Sequence, residues 1–348
     1  MWNYIMKNLV LITSIFITVL ALQACGSSSK KSTAPTTPTA PTAPVTPEAV
    51  HHIQPEDVAG YVEKYKTQQA EVELQLDGVK YELGLVDFSQ EEKVIVARYE
   101  KGFVLIGFDF EKNEPRDFFR IIDSDSDNFE EAAENPIRVL DGLGMAISSE
   151  DDNAVFTGSV VDVNTLAQFN IRLVFNESLI SGGSSVVVVS GTKAMINGDL
   201  GTKSYVQITD LINNHPEVNT LLLQEISGSV NDEINMHTGR LVRNAQLTTM
   251  VEATSDINSG GVDLYAAGFK RVYTEGAKLG VHSWCCTEGK PANELGRDHK
   301  GHGAQLTFFR EMLGAELGPE FYFFTIEAAP HDTVHVMTKA ELDKYLLQ

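Results

Sequence analysis

The sequence is poor in positive charge, with 27 Lys and Arg residues against 48 Asp and Glu residues and a formal net charge of −21. A chain with this charge repels phosphate backbones and anionic lipid surfaces. Its basic residues are scattered and nowhere alternate with aromatic residues, as they would in a groove that stacks bases. We therefore expect no nucleic-acid partner. The hydrophobic fraction of 43% is ordinary, so a packed core is expected.

The N-terminus lacks an apolar run long enough for a permanent membrane helix, which needs about 20 residues. Lys7 supplies positive charge, and residues 9–22 form a shorter, almost unbroken apolar run that ends in small and polar residues. This pattern predicts a signal peptide over residues 1–24.

Cysteine is also scarce, with three in the chain, and the first stands at the end of this segment. The sequence Leu-Gln-Ala-Cys at 22–25 resembles the lipobox of bacterial lipoproteins, which implies a lipidated Cys25 anchored in a membrane of the bacterial cell envelope. Since Gly26 and not aspartate follows, the resemblance to bacterial lipoproteins also implies the outer membrane, facing the periplasm. A proline-, threonine- and serine-rich tether then reaches residue 50. The alternative is a plain secretory signal peptide with an incidental cysteine.

With 348 residues the chain is long enough for two domains, since single domains commonly contain roughly 100 to 200 residues. At 51–183 a short helical pattern (55–68) precedes runs of alternating β-branched and aromatic residues. They predict a mostly antiparallel β domain of unknown role, with one helical insert near 129–143. The predicted strands cover residues 70–76, 93–99, 103–108, 154–163 and 169–175.

One local pattern in this region has the ligand spacing of an EF-hand calcium loop. Asp123, Asp125 and Asp127 alternate, and Glu134 falls at the twelfth position counted from Asp123. The match is incomplete, because Asn128 stands where glycine makes the turn. We favour the alternative, a solvated acidic loop that caps the following helix, and expect no metal.

From residue 184 the pattern changes to apolar strands that alternate with longer helical segments, which is typical of α/β structure. We place this domain at 184–348. Residues 186–189 form a continuous β-branched run, as in strands covered on both faces. The elements expected after it are a helix at 200–213, a strand at 219–224, a helix at 230–246 and a strand at 248–253.

Two segments of small residues each follow a strand and open a helix in this domain. They have the sequences Glu-Ile-Ser-Gly-Ser-Val at 225–230 and Ile-Asn-Ser-Gly-Gly-Val at 257–262. Backbone N–H groups at a helix start lack partners, and small residues let a substrate carbonyl approach them. The N–H groups of Gly260 and of either Gly228 or Ser229 are therefore candidate donors of an oxyanion hole.

Ser259 and His282 are the candidate nucleophile and general base for such a site. Each has a simpler interpretation: Ser259 could cap the following helix, and His282 could be a buried histidine beside Trp284. We favour the catalytic interpretation because both loops, the serine and the histidine occur in the order that one site needs.

This order of segments resembles the proteolytic subunits of Clp serine peptidases and, more closely, Clp-like crotonase-fold proteins of the periplasm. The resemblance covers residues 186–347 and includes Ala267-Gly268, Arg271 and the Gly-Val-His sequence at 280–282. It implies a crotonase (ClpP-like) domain of stacked β-β-α units and a homo-oligomer. A relative with a lysine base makes Lys270 or Lys278 an alternative to the histidine.

The resemblance also implies an acidic residue after the histidine, and Asp332 is the residue expected to orient His282. His335 is a competitor without a defined role. Two remaining features say less about function. Cys285 and Cys286 could stay free, pair between chains or form a strained ring. The loose metal-like spacing of two histidines at 299 and 302 is more typical of a solvent loop.

The sequence thus predicts an envelope-anchored serine hydrolase, a Clp-like peptidase that acts on peptides or unfolded protein in the periplasm without a cofactor. The first alternative is a noncatalytic binding or assembly module with the same fold, since one fold hosts many functions. The second is a hydrolase of thioesters or other acyl compounds. The acidic composition offers no basic clamp for coenzyme A phosphates, so this alternative ranks last.

Overall fold

The computed structural model describes residues 47–142 and 144–347. The predicted signal peptide, the lipidation site at Cys25 and most of the predicted tether lie outside the described residues. Within the part of the chain that is described, no helix is both long and apolar enough to cross a membrane.

The first part of the chain is mainly β-structure, as its alternating apolar residues predict. Its elements are α1 Val58–Gln69, β1 Glu73–Leu76, β2 Val79–Glu82, β3 Gly84–Ser89, β4 Val94–Tyr99, β5 Gly102–Asp109, β6 Glu114–Asp123, α2 Phe129–Glu134, β7 Arg138–Gly142, β8 Ala146–Glu150, β9 Asn153–Asp162, β10 Gln168–Phe175 and α3 Glu177–Ser181.

These ten strands of the described chain form one curved antiparallel sheet, whose edge strands β2 and β3 are not hydrogen-bonded to each other. The hydrogen-bonded order is β2-β1-β10-β9-β7-β6-β5-β4-β3, with β8 paired to β9. Because Leu83 alone separates β2 from β3, the two edge strands of this order must lie next to each other. The sheet is therefore barrel-like, and its interior is filled by apolar side chains such as Leu74, Ile106, Phe119 and Phe156.

The prediction of a helical insert at 129–143 is correct only for residues 129–134 and is wrong for the rest. Asn128 begins α2, since its side chain accepts a hydrogen bond from the Glu131 N–H. The helix ends at Glu134, because Pro136 disfavours the helical conformation in Asn135. The chain then enters β7, where Leu140 is fully buried and the strand pairs with β6 and β9.

The second part of the chain alternates strands and helices, and its α/β class is confirmed. Its elements are β11 Val186–Ser190, β12 Lys193–Asn197, α4 Thr202–Asn214, β13 Thr220–Leu223, β14 Glu225–Ile226, α5 Asp232–Asn244, β15 Thr248–Val251, β16 Asp256–Asn258, α6 Gly260–Ala266, β17 Lys270–Tyr273, β18 Lys278–Val281, α7 Gly303–Leu313, α8 Leu317–Ala328, β19 His335–Val336 and α9 Lys339–Tyr345.

Two sheets share these strands, and this division positions the site. The order β11-β12-β13-β15-β17 forms one sheet, and β14-β16-β18-β19 forms the other. The chain passes from the first sheet to the second and then into a helix, first through β13, β14 and α5 and then through β15, β16 and α6. Residues 225–226 and 257–258, which the sequence suggested as parts of loops, therefore belong to short parallel strands.

The expectation that 186–189 is covered on both faces is wrong. Strand β11 lies at the edge of its sheet, and Val186 and Val188 are 50% and 49% exposed. Val188 begins a row of apolar residues on one face of the sheet, because cross-strand partners share a face. The row continues through Met195, Leu222, Met250 and Val272.

Helix α1 connects the two parts. Its Val58 and Val62 pack with Ile234 of α5. Asn231, at the start of α5, donates a hydrogen bond from its side chain to the Tyr61 hydroxyl over 2.7 Å. The barrel-like sheet is thus fastened next to the helix that borders the candidate site.

Candidate functional site

Ser259 lies on a sharp turn between β16 and α6. Its backbone has φ 51° and ψ −121°, a region that residues other than glycine rarely adopt. Two backbone hydrogen bonds hold the turn: the Ser259 N–H donates to the Gly280 carbonyl, and the Val262 N–H donates to the Ser259 carbonyl, both over 2.8 Å. A strained strand–turn–helix serine is the arrangement that presents a nucleophile in many hydrolases.

The simpler interpretation of Ser259 as a helix cap is wrong. Its side chain makes no capping hydrogen bond to α6, and within the described residues its hydroxyl has no hydrogen-bond partner. The residue is partly exposed. Its hydroxyl is therefore available to a substrate.

The structure brings the predicted oxyanion loops together beside Ser259. A Cβ added to Gly228 would lie 3.4 Å from the Ser259 Cβ. A Cβ added to Gly260 would collide with the Ser229 side chain and lie 3.1 Å from the Ser229 nitrogen. In the described part of the chain, the N–H groups of Gly228, Ser229 and Gly260 donate no hydrogen bond. Unpaired donors therefore adjoin the serine on both loops.

A residue that the sequence did not reveal fixes the second loop. Asn235, on α5 and 1% exposed, donates from Nδ2 to the Gly260 carbonyl over 3.0 Å. Its Oδ1 is buried without a partner among the described residues. One asparagine in a helix carries no motif, so only the fold places it here.

His282 follows β18, which pairs in parallel with β16 and so brings the histidine to the same edge as Ser259. Its Nδ1 lies 2.9 Å from the Ser283 carbonyl, an acceptor, so Nδ1 carries the proton and Nε2 is the free acceptor. His282 and Ser259 line one cavity of about 40 Å³. No hydrogen bond joins the two side chains in this structure.

The structure does not bring Asp332 to His282. Asp332 is exposed in a turn before β19 and makes no hydrogen bond or ion pair with the imidazole. Strands β18 and β19 pair antiparallel, with Val281 opposite His335. In this register, Asp332 lies beyond the position opposite His282. The competitor His335 is also elsewhere, because its Nε2 contacts Glu341 Oε2 over 3.0 Å.

Two carboxylic acids that the sequence did not single out line the cavity instead. Asp232 begins α5, and Asp263 lies in the first turn of α6, where acidic residues are ordinary and therefore uninformative. Burial raises the pKa of Asp232, against the opposing effects of the nearby Ser229 hydroxyl and His282. Burial, and then the charge of Asp232, raises the pKa of Asp263 well above its usual value. The two acids are therefore coupled.

The far wall of the cavity is a hydrogen-bonded aromatic group. Trp284 Nε1 donates to the Tyr322 hydroxyl over 3.0 Å, and that hydroxyl lies 2.7 Å from His302 Nδ1. His302 is fully buried, so the expectation that it belongs to a solvent loop is wrong. Cys285 and Cys286, which follow Trp284, are joined to each other as a vicinal disulfide, one of the three options that the sequence left open.

The calcium alternative is not supported. Asp123 is held by Arg138 over 2.6 Å and by the Tyr99 hydroxyl, and Asp127 pairs with Arg98 over 2.7 Å. Arginines therefore satisfy carboxylates that calcium would need. Asp125 and Glu134 do not complete a site, because no group of three or more metal-ligating side chains occurs at 47–142 or 144–347.

Comparisons with known proteins give a slight similarity. No protein-family model and no curated protein matches the chain. Crotonase-fold enoyl-CoA hydratases are similar in structure. That of Bacillus anthracis is 15% identical with a TM-score of 0.31, over 47% of this chain and 67% of its own. A putative one from Streptomyces avermitilis is 14% identical with a TM-score of 0.31, over 47% and 65%. These scores are too low to assign a site residue or an activity.

Proposed function

We propose that the chain is a serine hydrolase of acyl compounds, with peptides as its substrates. Ser259 is the nucleophile, His282 is the general base, and the N–H groups of Gly260 and of Gly228 or Ser229 form the oxyanion hole. The backbone of Ser259 carries this proposal: its strained turn and uncapped hydroxyl next to unpaired N–H donors suit nucleophilic attack and suit a structural serine poorly.

The reaction proceeds in two balanced steps. His282 Nε2 takes the proton of the Ser259 hydroxyl as Oγ bonds to the substrate carbonyl carbon, and the oxyanion accepts hydrogen bonds from the loop N–H groups. The imidazolium then protonates the leaving amine, and the carbon–nitrogen bond breaks. Water, deprotonated by His282, attacks the acyl-enzyme, and Ser259 leaves with the proton. The imidazole must move towards Ser259 when substrate enters, since the two are not hydrogen-bonded here.

Asp232 replaces Asp332 as the acidic partner of His282 in this proposal, and it acts through its charge and not by orienting the ring. It lines the cavity with His282 and interacts with it electrostatically. An imidazolium formed during attack favours an ionised Asp232, and the carboxylate in turn stabilises the imidazolium.

A second candidate is conversion of an acyl thioester by acid–base catalysis, without a covalent intermediate. The two acids that line the cavity, Asp232 and Asp263, favour it, because a buried carboxyl with a raised pKa can donate a proton to a substrate that the same N–H donors hold.

Measuring substrate turnover by Ser259→Ala and Asp263→Asn distinguishes the serine hydrolase from acid–base catalysis. Purified protein is incubated with an unfolded protein substrate, a fluorogenic peptide and an acyl thioester. For the hydrolase, Ser259→Ala abolishes peptide cleavage and Asp263→Asn retains most of it. For acid–base catalysis, Asp263→Asn abolishes thioester conversion and Ser259→Ala retains it. Turnover of none of the three would favour a noncatalytic binding or assembly module.

We also propose the crotonase-type fold, anchorage in the bacterial envelope through Cys25, and a homo-oligomer. The repeated passage from one sheet to the other and then into a helix supports the fold. The apolar row from Val188 to Val272 supports self-association, because its end residues are 49% and 40% exposed on one sheet face. Metabolic labelling with a fatty acid would test the anchor. The protein should be labelled, and Cys25→Ser should eliminate the label.

A further inference from the structure

A cavity of about 320 Å³ opens at one end of the barrel-like sheet, within the size range of small-ligand sites. Its walls include Phe108, Phe110 and Phe175, which are 9%, 5% and 2% exposed. Pro115, Ala154 and Ile180 complete the apolar lining. Aromatic walls of this kind suit an aromatic or large aliphatic side chain.

The rim of this cavity is acidic. Asp151 and Asp152, in the turn between β8 and β9, and Glu177, at the start of α3, stand there with Lys64. None of the four forms an ion pair within 47–142 or 144–347. Burial raises the pKa of Glu177, and the charge of Asp152 adds to this effect while Lys64 opposes it. Unpaired carboxylates above an aromatic wall attract a cationic ligand.

The cavity is one of three that share lining residues from the barrel end to Ser259. Glu177 also lines a second cavity of about 70 Å³, together with Ser229, Asp232 and Trp284. Asp232 and Trp284 in turn line the cavity that contains Ser259 and His282. An extended ligand that occupies the barrel end can therefore continue towards the nucleophile.

A buried acceptor on this path has no partner. Gln305 lines both the second cavity and the Ser259 cavity, and its Oε1 is buried without a hydrogen bond among the described residues. An unpaired buried carbonyl is unfavourable, and a ligand N–H that donates to it would remove this penalty. A peptide supplies such an N–H group, whereas a hydrocarbon acyl chain does not.

The charges of the residues that line these cavities also favour a peptide, provided that it is positively charged. Six acidic side chains line the three cavities, and Lys64 is the single lysine or arginine among their lining residues; the acids are Asp151, Asp152, Glu177, Asp232, Glu233 and Asp263. The phosphates of coenzyme A would be repelled, whereas lysine or arginine side chains would be attracted.

We propose that the barrel-end cavity, lined by Phe108, Phe110 and Phe175, is a remote subsite of the enzyme. It holds an aromatic or large aliphatic residue of an extended, positively charged peptide whose scissile bond lies at Ser259. The part of this proposal that concerns Ser259 rests on the proposed function; binding at the barrel end does not.

Binding to the Ser259→Ala protein tests the subsite without turnover. The probe is a rhodamine-labelled peptide of about ten residues with a central Phe flanked by Lys, long enough to engage a groove along its backbone. Fluorescence anisotropy gives its affinity. Control peptides replace Phe with Ser or both Lys with Glu, and each should bind at least ~10-fold more weakly, a loss of about 1.4 kcal/mol.

Two variants locate the bound peptide. Asp152→Lys reverses a rim charge and should weaken binding roughly 5-fold, more at low than at high salt. Ala154→Trp fills the cavity and should weaken it at least ~10-fold, equivalent to about 1.4 kcal/mol. The matched control is Glu100→Lys, an exposed charge reversal in the β4–β5 turn, away from the cavity. It should leave binding unchanged.

The outcomes separate the two proposals. The subsite is overturned if neither Asp152→Lys nor folded Ala154→Trp changes the affinity for the probe. It is also overturned if Glu100→Lys weakens binding as much as they do. Failure of the probe to bind a protein whose Ser259 reacts with fluorophosphonates overturns the subsite and leaves the hydrolase standing. Cavity-dependent binding to a protein whose Ser259 does not react overturns the hydrolase and leaves the binding site standing.

Discussion

Asn235 and Gly260 are joined by a 3.0 Å hydrogen bond that fastens helix α5 to the turn carrying Ser259. The bond runs from the asparagine side chain to the glycine carbonyl and so orients the adjoining peptide groups. Asn235 touches no substrate in this arrangement. In the proposed mechanism it is a positioning residue for the loop that carries Gly260.

Replacing Asn235 with Ala should therefore lower kcat more than it alters KM. The Gly260 peptide loses its anchor, and removing a preorganised donor from an oxyanion hole costs about 10²–10³ in kcat, so partial misplacement should cost roughly 10-fold. Steady-state kinetics on a fluorogenic peptide measures both constants. An equal change in kcat for Asn231→Ala, which removes a helix cap nearby, would show that the effect is only structural.

The pH dependence of stability should report on Asp263. Its pKa is raised in the folded chain, so folding favours the protonated carboxyl. The corresponding stability is complete below the unfolded value of 3.8 and is lost as pH rises through the folded pKa. Asp263→Asn mimics the protonated form and should raise the unfolding temperature by roughly 2–4 °C at pH 8.

The same comparison near pH 4 should show no difference between Asp263→Asn and the unchanged protein. Thermal unfolding followed by circular dichroism at both pH values provides the measurement. Asp210→Asn, on the exposed side of α4, is the matched control and should have little effect at either pH. A stabilisation by Asp263→Asn that is equal at pH 4 and pH 8 would contradict the raised pKa.

Arg138→Ala should destabilise the barrel-like sheet by about 3 kcal/mol, because it leaves the carboxylate of Asp123 with the Tyr99 hydroxyl but without an ionic partner. Asp123 is 8% exposed, and Arg138 is its ionic partner. The control is Arg120→Ala, whose pair with Asp141 is 42% and 32% exposed and should contribute about 0–1 kcal/mol. Urea unfolding measures both changes.

The unfolding temperature of the unchanged protein should be the same with and without added calcium. A calcium-dependent rise that Asp125→Asn and Glu134→Gln abolish would restore the EF-hand interpretation and contradict the roles given to Arg98 and Arg138.

Self-association should depend on Val188. Val188→Lys places a charge in the apolar row of the outer sheet face and should shift an oligomer to monomer in sedimentation velocity. The substitution should cost within ~0.5 kcal/mol of monomer stability, because the side chain is already half-exposed. Val79→Lys, at a 53% exposed position of β2, is the matched control and should leave the mass unchanged. An identical mass for both variants and the unchanged protein contradicts this interface.

The sequence was most informative where local pattern decides structure. Alternating apolar residues predicted the strands of the first part, and small residues at helix starts predicted the loops beside Ser259. Long-range pairing lay beyond it. The edge position of β11 and the register of β19 against β18 depend on strand partners, so the sequence misjudged the burial of Val186 and the place of Asp332.

The missed site residues have a similar explanation. Asp232, Asp263 and Asn235 occupy ordinary helical positions, and they acquire a role only when α5 and α6 pack beside β18. The barrel-end cavity is formed by side chains from two hairpins, α1 and α3, which no spacing in the sequence links. Patterns within one segment therefore singled out Ser259 and His282, whereas the residues around them became visible only in the fold.

Labelling with a fluorophosphonate probe, followed by peptide mass spectrometry, tests the nucleophilic serine most directly. The account predicts one modified residue, Ser259, with labelling abolished by Ser259→Ala and reduced about 100-fold or more by His282→Ala, since nucleophile and base act as a unit. Labelling of a different residue, or labelling of the folded Ser259→Ala protein at the original rate, would contradict it.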